Sequence, residues 1–145
     1  MTAPLGDVQL CTFVVGGLLL GLPAAGVSEV VHGEEVTPVP LAPAAVLGLL
    51  NLRGRIVPAI DARLRLGMPP RPVGEEGTHI VVRVRGEQVS LVVDRTSDVV
   101  SVAAADREDV PETVGPEIRR LLTASHQRTY GLLLVLDPEL VLSDT

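Results

Sequence analysis

Aromatic side chains are nearly missing from this 145-residue chain: Phe13 and Tyr130 stand alone, and there is no tryptophan. The core must therefore be packed with Val, Leu, Ile and Ala. The abundance of valine, with 14 glycines and 12 prolines, favours strands over helices. Lysine is missing too, so every basic residue is arginine, a planar bidentate partner for carboxylates. Cys11 is the single cysteine, which excludes an intrachain disulfide and an all-protein thiolate site. On its apolar run it reads as a small buried hydrophobe. The net charge of −6 speaks against nucleic acid, which needs a basic face.

Catalytic signatures are also missing. There is no HExxH, CxxC, GxSxG, Walker loop or GxGxxG, and His32, His79 and His126 are scattered without ligand spacing. Asp61, Asp94 and Asp137 each follow an apolar run, a common way to end a strand, and no nucleophile or metal ligand accompanies them. These absences predict no catalysis, no metal and no cofactor. Residues 8–28 carry no charge, yet Gly16, Gly17, Gly21 and Pro23 interrupt them and no basic residue precedes them. That pattern argues against a membrane span or a signal peptide and leaves the cytoplasm as the default.

What is present is short-period patterning. Residues 10–15 and 18–23 read as two strands joined at Gly16-Gly17, and residues 27–31 as a third, with Glu29 among apolar neighbours. Residues 32–43 form a loop stiffened by Pro38, Pro40 and Pro43, and residues 44–47 one helical turn. Residues 62–66 are helical up to Gly67, and residues 68–77 are a flexible Pro/Gly connector. Strands follow at 78–85 and 89–93, then a bend at 94–98, extended chain at 99–102 and an acidic excursion at 103–116. Residues 117–125 fit helix or strand equally, residues 130–136 a strand, and residues 138–142 a closing helical turn. The length allows one compact unit, divided into a leader at 1–9, a single domain at 10–142 and a tail at 143–145. Many short strands with turn residues between them predict an all-β barrel or sandwich.

The centre of this pattern is residues 48–61, GLLNLRGRIVPAID. Alternating apolar residues flank an Arg-Gly pair, a hairpin signal in which Gly54 supplies the positive φ. Pro58 lacks an N–H and must sit where the ladder needs no donor. Arg53, at the bend, is either a solvated turn residue or a contact for something else.

Residues 51–61 (NLRGRIVPAID), with Arg63 and LGMP at 66–69, resemble the CheW family of bacterial chemotaxis adaptors. Four further stretches match in the family's order: Phe13 before Gly16-Gly17, VSEV at 27–30, LVVDRTSDVVSV at 91–102 and LLLVLDPELVL at 132–142. The resemblance implies two SH3-like β-barrels packed on a hydrophobic seam, with only short helical turns. It implies a stand-alone, non-enzymatic adaptor coupling the cytoplasmic tip of chemoreceptors (methyl-accepting chemotaxis proteins) to the regulatory domain of the histidine kinase CheA. Such a protein is cytoplasmic, recruited to membrane-associated receptor arrays and mostly monomeric when free. The residues implied in partner contact are Val27, Glu29, Gly48 and Arg53, though Val27 also fits a core position and Gly48 a permissive backbone junction. Ser90 departs from a usual family glycine, and residues 124–129 are more polar than the family's strand there. Two other readings fit the residues: a CheW-like module in another pathway, such as pilus motility, and a small barrel binding a metabolite in the seam. Glu29 and Arg53, opposite charges in apolar stretches, are expected to pair across the groove between strands.

Overall fold

The computed structural model describes residues 6–72 and 74–143. Its strands are β1 (Asp7–Val15), β2 (Leu18–Pro23), β3 (Val27–His32), β4 (Val36–Thr37), β5 (Val46–Leu52) and β6 (Arg55–Asp61), then β7 (Thr78–Val84), β8 (Glu87–Val93), β9 (Arg95–Ala103), β10 (Leu122–Arg128) and β11 (Gly131–Leu136). Three short α-helices punctuate them among the described residues: α1 (Ala62–Arg65), α2 (Pro116–Arg119) and α3 (Pro138–Leu142), with 3₁₀ turns at Ala24–Gly26 and Ala104–Asp106. One sheet has the order β10-β11-β2-β1-β9 and the other β3-β7-β8-β6-β5-β4. The chain starts in the first sheet, builds the whole of the second, and returns after β8.

Both sheets close into barrels. β3 and β4 lie at opposite ends of the second sheet, yet only residues 33–35 join them, a reach of roughly 14 Å. The sheet has to curl for its ends to meet. In the first sheet, β9 and β10 are the two ends. The chain leaving β9 crosses to β10, where Glu108 and Ser125 exchange two backbone hydrogen bonds of 2.9 Å.

The two barrels follow one plan. In each, an edge strand (β9 or β3) meets a hairpin (β1–β2 or β7–β8), and that hairpin pairs in parallel with a third strand (β11 or β6). Residues 45–61 correspond to residues 121–137 without insertion. Asp61 N–H donates to Ala45 O at 2.8 Å, and Asp137 N–H to Leu121 O at 2.9 Å. Each of these aspartates then caps a helix, accepting N–H bonds of 2.9 Å from Arg63 in α1 and from Glu139 in α3. The ladders shift register at matching places, between Val46 and Gly48 and between Leu122 and Ala124. The edge strands match as well: VSEVV at 27–31 and TSDVV at 96–100 cross their partners through the same irregularity.

Apolar residues fill three compartments. The largest is the seam, where Phe13, Leu20, Leu22 and Leu134 of the first barrel meet Ile60, Ile80, Leu91 and Val93 of the second. Leu50, Leu52, Val57 and Val81 fill the second barrel, and Leu10, Val102, Ala124, Leu133 and Val135 the first. Each such burial contributes roughly 1.5–3 kcal/mol. The seam therefore fixes the barrels to each other.

Several local expectations change. Strand β1 begins at Asp7 rather than after residue 9, because β9 runs to Ala103 and pairs with Asp7, Val8 and Gln9; the leader's residues 1–5 lie outside the described residues. Of the tail, Ser143 belongs to the end of α3, donating its N–H to Glu139 O at 3.0 Å, and 144–145 lie outside the described residues. The helical turn at 44–47 is a tight turn, with Val46 N–H on Pro43 O at 2.9 Å, after which β5 starts at once. The loop at 32–43 contains β4, held on β5 by Val36↔Leu50 and Thr37↔Leu49. The bend at 94–98 shrinks to Asp94, since β1 draws Arg95 and Thr96 into β9. Residues 117–125 divide between α2 and β10. In β10, Thr123 and Gln127 are exposed whereas Ala124, Ser125 and His126 are buried.

Candidate functional site

The β5–β6 hairpin turns in two residues, Arg53 (φ 52°) and Gly54 (φ 84°), both left-handed. Asn51 Oδ1 accepts the Gly54 N–H at 3.0 Å and stabilises the turn. The alternation then places Leu50, Leu52 and Val57 inside the barrel and leaves Asn51 and Ile56 exposed. Pro58 faces Leu49 on β5, and parallel pairing with β8 starts only at Ala59. The missing N–H falls where no ladder bond is required.

Arg53 reaches the edge strand β3. Its Nη2 donates to Glu29 Oε2, with the arginine side chain 69% exposed and the glutamate 21%. The register shift between Val27 and Glu29 aims this carboxylate at the hairpin tip. The pair ties the edge strand β3 to the β5–β6 turn, two elements that share no backbone ladder, as its opposite charges predict. The other two expected contact residues sit elsewhere on β3 and β5 and, among the described residues, make no bond to the pair. Val27 is half-buried against the seam. Gly48 is buried at φ 149°, and a Cβ there would stand 2.1 Å from Thr37 O. Glycine at this position lets β4 approach β5, so Gly48 shapes the surface without presenting a side chain.

A second ionic centre was not apparent as a site in the sequence. Asp94 stands where the chain crosses from β8 to β9, with 17% of its side chain exposed. It accepts from Arg63 Nε and Nη2 (both 2.8 Å), from Arg71 Nη2 (2.9 Å) and from the Gly16 N–H (2.8 Å). The bond from Arg63, with Gly16 and Arg71 adding to it, holds the Asp94 carboxyl far below the usual carboxylate range. The same bond raises the Arg63 guanidinium. Arg71 thereby anchors the 68–77 connector that the sequence assigns to a flexible loop. Across the seam, buried Arg65 of α1 donates to Leu140 O (2.7 Å) and Val141 O (3.1 Å) in α3, and burial lowers its pKa. Arginines bind the barrels together.

The histidines do not converge. His79 Nδ1 lies 2.9 Å from Ser90 Oγ, which gives a partner to the serine that departs from the glycine the resemblance implies there. His32 Nδ1 is 3.2 Å from Thr78 Oγ1, and His126 lies buried in the first barrel. Burial lowers the pKa of both His79 and His126. Asp61 and Asp137 are helix caps. Among the described residues, no helix is long and apolar enough to cross a membrane.

The CheW-like domain family matches residues 9–145. The chain belongs to the CheW family. It is 33% identical over 110 residues to chemotaxis protein CheW of Treponema pallidum, covering 73% of this chain and 65% of that protein. Against chemotaxis protein CheW of Rhizobium meliloti it is 36% identical over 107 residues, covering 74% and 69%. The match thus spans about two thirds of the length of these curated relatives. The crystal structure of the scaffolding protein TtCheW from Thermoanaerobacter tengcongensis shares the fold, with a TM-score of 0.84 over 94% of this chain and 93% of that one, at 24% identity. The all-β CheW architecture of two packed barrels is therefore that of this chain.

Proposed function

We propose that this chain is a non-enzymatic chemotaxis adaptor, a single CheW-like domain that joins the cytoplasmic tip of a chemoreceptor to the regulatory domain of the histidine kinase CheA. The observation that carries this reading is the Glu29–Arg53 pair. It lies in two of the stretches that bear the family resemblance and presents a largely exposed guanidinium at the rim of a barrel. Val27 and Gly48 act indirectly in this reading, one by packing on the seam and the other by the close approach of β4. The seam in which a metabolite would sit is filled by Phe13, Leu20, Ile80 and Leu91, which favours protein partners over a small ligand. Protein interfaces of this kind bury about 800 Å² on each partner. Weak single contacts suffice in an array, because neighbouring contacts raise the effective concentration. The free protein is then mostly monomeric in the cytoplasm and joins membrane-associated arrays through its partners.

Reconstitution with a receptor cytoplasmic fragment and CheA tests this. Kinase activity should rise several-fold when all three components are present, and Arg53→Ala or Glu29→Ala should remove most of that rise. A kinase indifferent to the protein, with neither partner retaining it in a pull-down, would sink the adaptor reading.

A further inference from the structure

The shared plan of the barrels gives Glu29 and Arg53 structural equivalents. Glu29 corresponds to Asp98: both carboxylates sit third in the matching stretches VSEVV and TSDVV, at the same irregularity of their edge strands. Arg53 corresponds to Thr129, the first residue of the β10–β11 turn. Asp98 therefore keeps its carboxylate but has lost its arginine. It is exposed and forms no ion pair among the described residues.

The space left behind is a groove of about 240 Å³ between Thr12, Leu19, Ser97, Asp98, Val100 and Tyr130. Sequence differences between the barrels account for it. Where the second barrel packs Val81, Leu50 and Leu52, the first has Thr12, His126 and Arg128. The Thr12 hydroxyl donates to the Asp98 backbone carbonyl, which leaves the carboxylate unengaged. Tyr130, the chain's single tyrosine, is exposed and lines the groove together with that acid.

We infer that this groove receives an arginine side chain from a protein partner, which takes the place that Arg53 occupies in the second barrel. The carboxylate supplies the counter-charge, Leu19 and Val100 accommodate the aliphatic stem, and the Tyr130 ring favours a planar guanidinium over an ammonium. A lipid surface does not suit an acidic notch, and an anionic ligand would be repelled by it.

The first arm of the test is independent of the adaptor reading. N-acetyl-arginine amide titrated into the ¹⁵N-labelled protein should shift the amide signals of Asp98, Val100 and Tyr130, with about millimolar affinity. N-acetyl-lysine amide should bind several-fold more weakly. Asp98→Asn should abolish the response without changing the melting temperature, and Tyr130→Ala should weaken it. Silence of these signals at about 50 mM probe, or an undiminished response in Asp98→Asn, overturns the site. The second arm rests on the adaptor reading: Asp98→Asn should weaken capture by the receptor–kinase pair about tenfold, and Asp98→Glu should restore it. A wild type that both partners ignore counts against the adaptor reading, whereas wild-type and Asp98→Asn proteins captured equally overturn the partner arginine. An Asp98-dependent dimer of the free protein in sedimentation would assign the groove to a second copy and overturn the separate partner.

Discussion

The two barrels share a topology and join the seam by unlike means. Where α1 of the second barrel meets the Gly16-Gly17 turn of the first, Asp94 gathers Arg63, Arg71 and the Gly16 N–H into one partly buried cluster. At the equivalent joint, α3 of the first barrel meets the Arg85-Gly86 turn of the second. There Arg85 and Glu139 touch at 3.4 Å with 78% and 56% of their side chains exposed. Asp94 has no acidic equivalent there, because the chain between β2 and β3 is Ala24–Gly26. The same joint is thus an electrostatic lock on one side and a loose surface pair on the other. Ion pairs contribute according to burial and the number of bonds each charge completes. Duplicated topology does not duplicate energetics.

The largest expected effect breaks this asymmetry. Asp94→Ala should cost about 3 kcal/mol, since it leaves two arginines without their carboxylate, and should lower Tm by about 10 °C. Glu139→Gln, at the other joint, should cost at most about 0.5 kcal/mol. Thermal melts of the two variants measure the contrast directly, and equal losses would refute it. Asp94 also carries a pH signature. Its folded pKa is depressed, so its contribution is complete above an unfolded value of about 4 and is lost as pH falls through the folded value. Asp94→Asn should flatten the acid limb of stability below about pH 4.

Next in size is the pair of equivalent bulges. Gly48→Ala forces a methyl group into Thr37 O and should cost about 2 kcal/mol, displacing β4 as it does so. Ala124→Gly, the matching change in the first barrel, loses one buried methyl group and some strand rigidity, about 1 kcal/mol. Chemical denaturation of both gives the comparison, and a larger loss for Ala124→Gly would mean that Gly48 is not needed for the approach of β4.

His126 occupies in the first barrel the place of Leu50 in the second, and its Nδ1 is buried without a hydrogen-bond partner. His126→Leu should raise stability at pH 7 by about 1 kcal/mol. Because burial lowers its folded pKa, protonating His126 carries no penalty above about pH 6.5 and costs stability as pH falls below that value. The variant should lose less stability than the wild type between pH 7 and pH 5, while His79 keeps its own share of the slope. Melts across that range showing the same slope for both proteins would contradict this.

The smallest expected effect on folding is at Glu29 and Arg53, about 0–1 kcal/mol for either alanine variant. Their effect on kinase activation should be large and non-additive, because the exposed pair orients Arg53 more than it holds the barrel shut. Single effects that simply add would show that Arg53 acts without Glu29.

Much of this was legible along the chain. The hairpin at residues 48–61, the Gly16-Gly17 turn, the aspartate-led helical turns and the all-β class follow from two-residue alternation and local turn chemistry. The Glu29–Arg53 pair could be anticipated because opposite charges in apolar strands need partners. The leader, the turn at 44–47 and the bend at 94–98 differ from their local patterns because a partner strand elsewhere in the chain decides each. Val8 looks like loose leader until Val102 lies beside it. The equivalence of Asp98 with Glu29 also needed the closed sheets, since their flanking residues agree only once strand register is known. Asp94 reads locally as a strand end, and only the seam brings Arg63, Arg71 and Gly16 to its carboxylate. The sequence by itself determined the strands, the turns and the family, because backbone preferences and side-chain alternation act over a few residues. Tertiary structure alone decided which charges are buried and which remain unpaired, because burial and pairing depend on residues that only chain closure brings within a few ångströms.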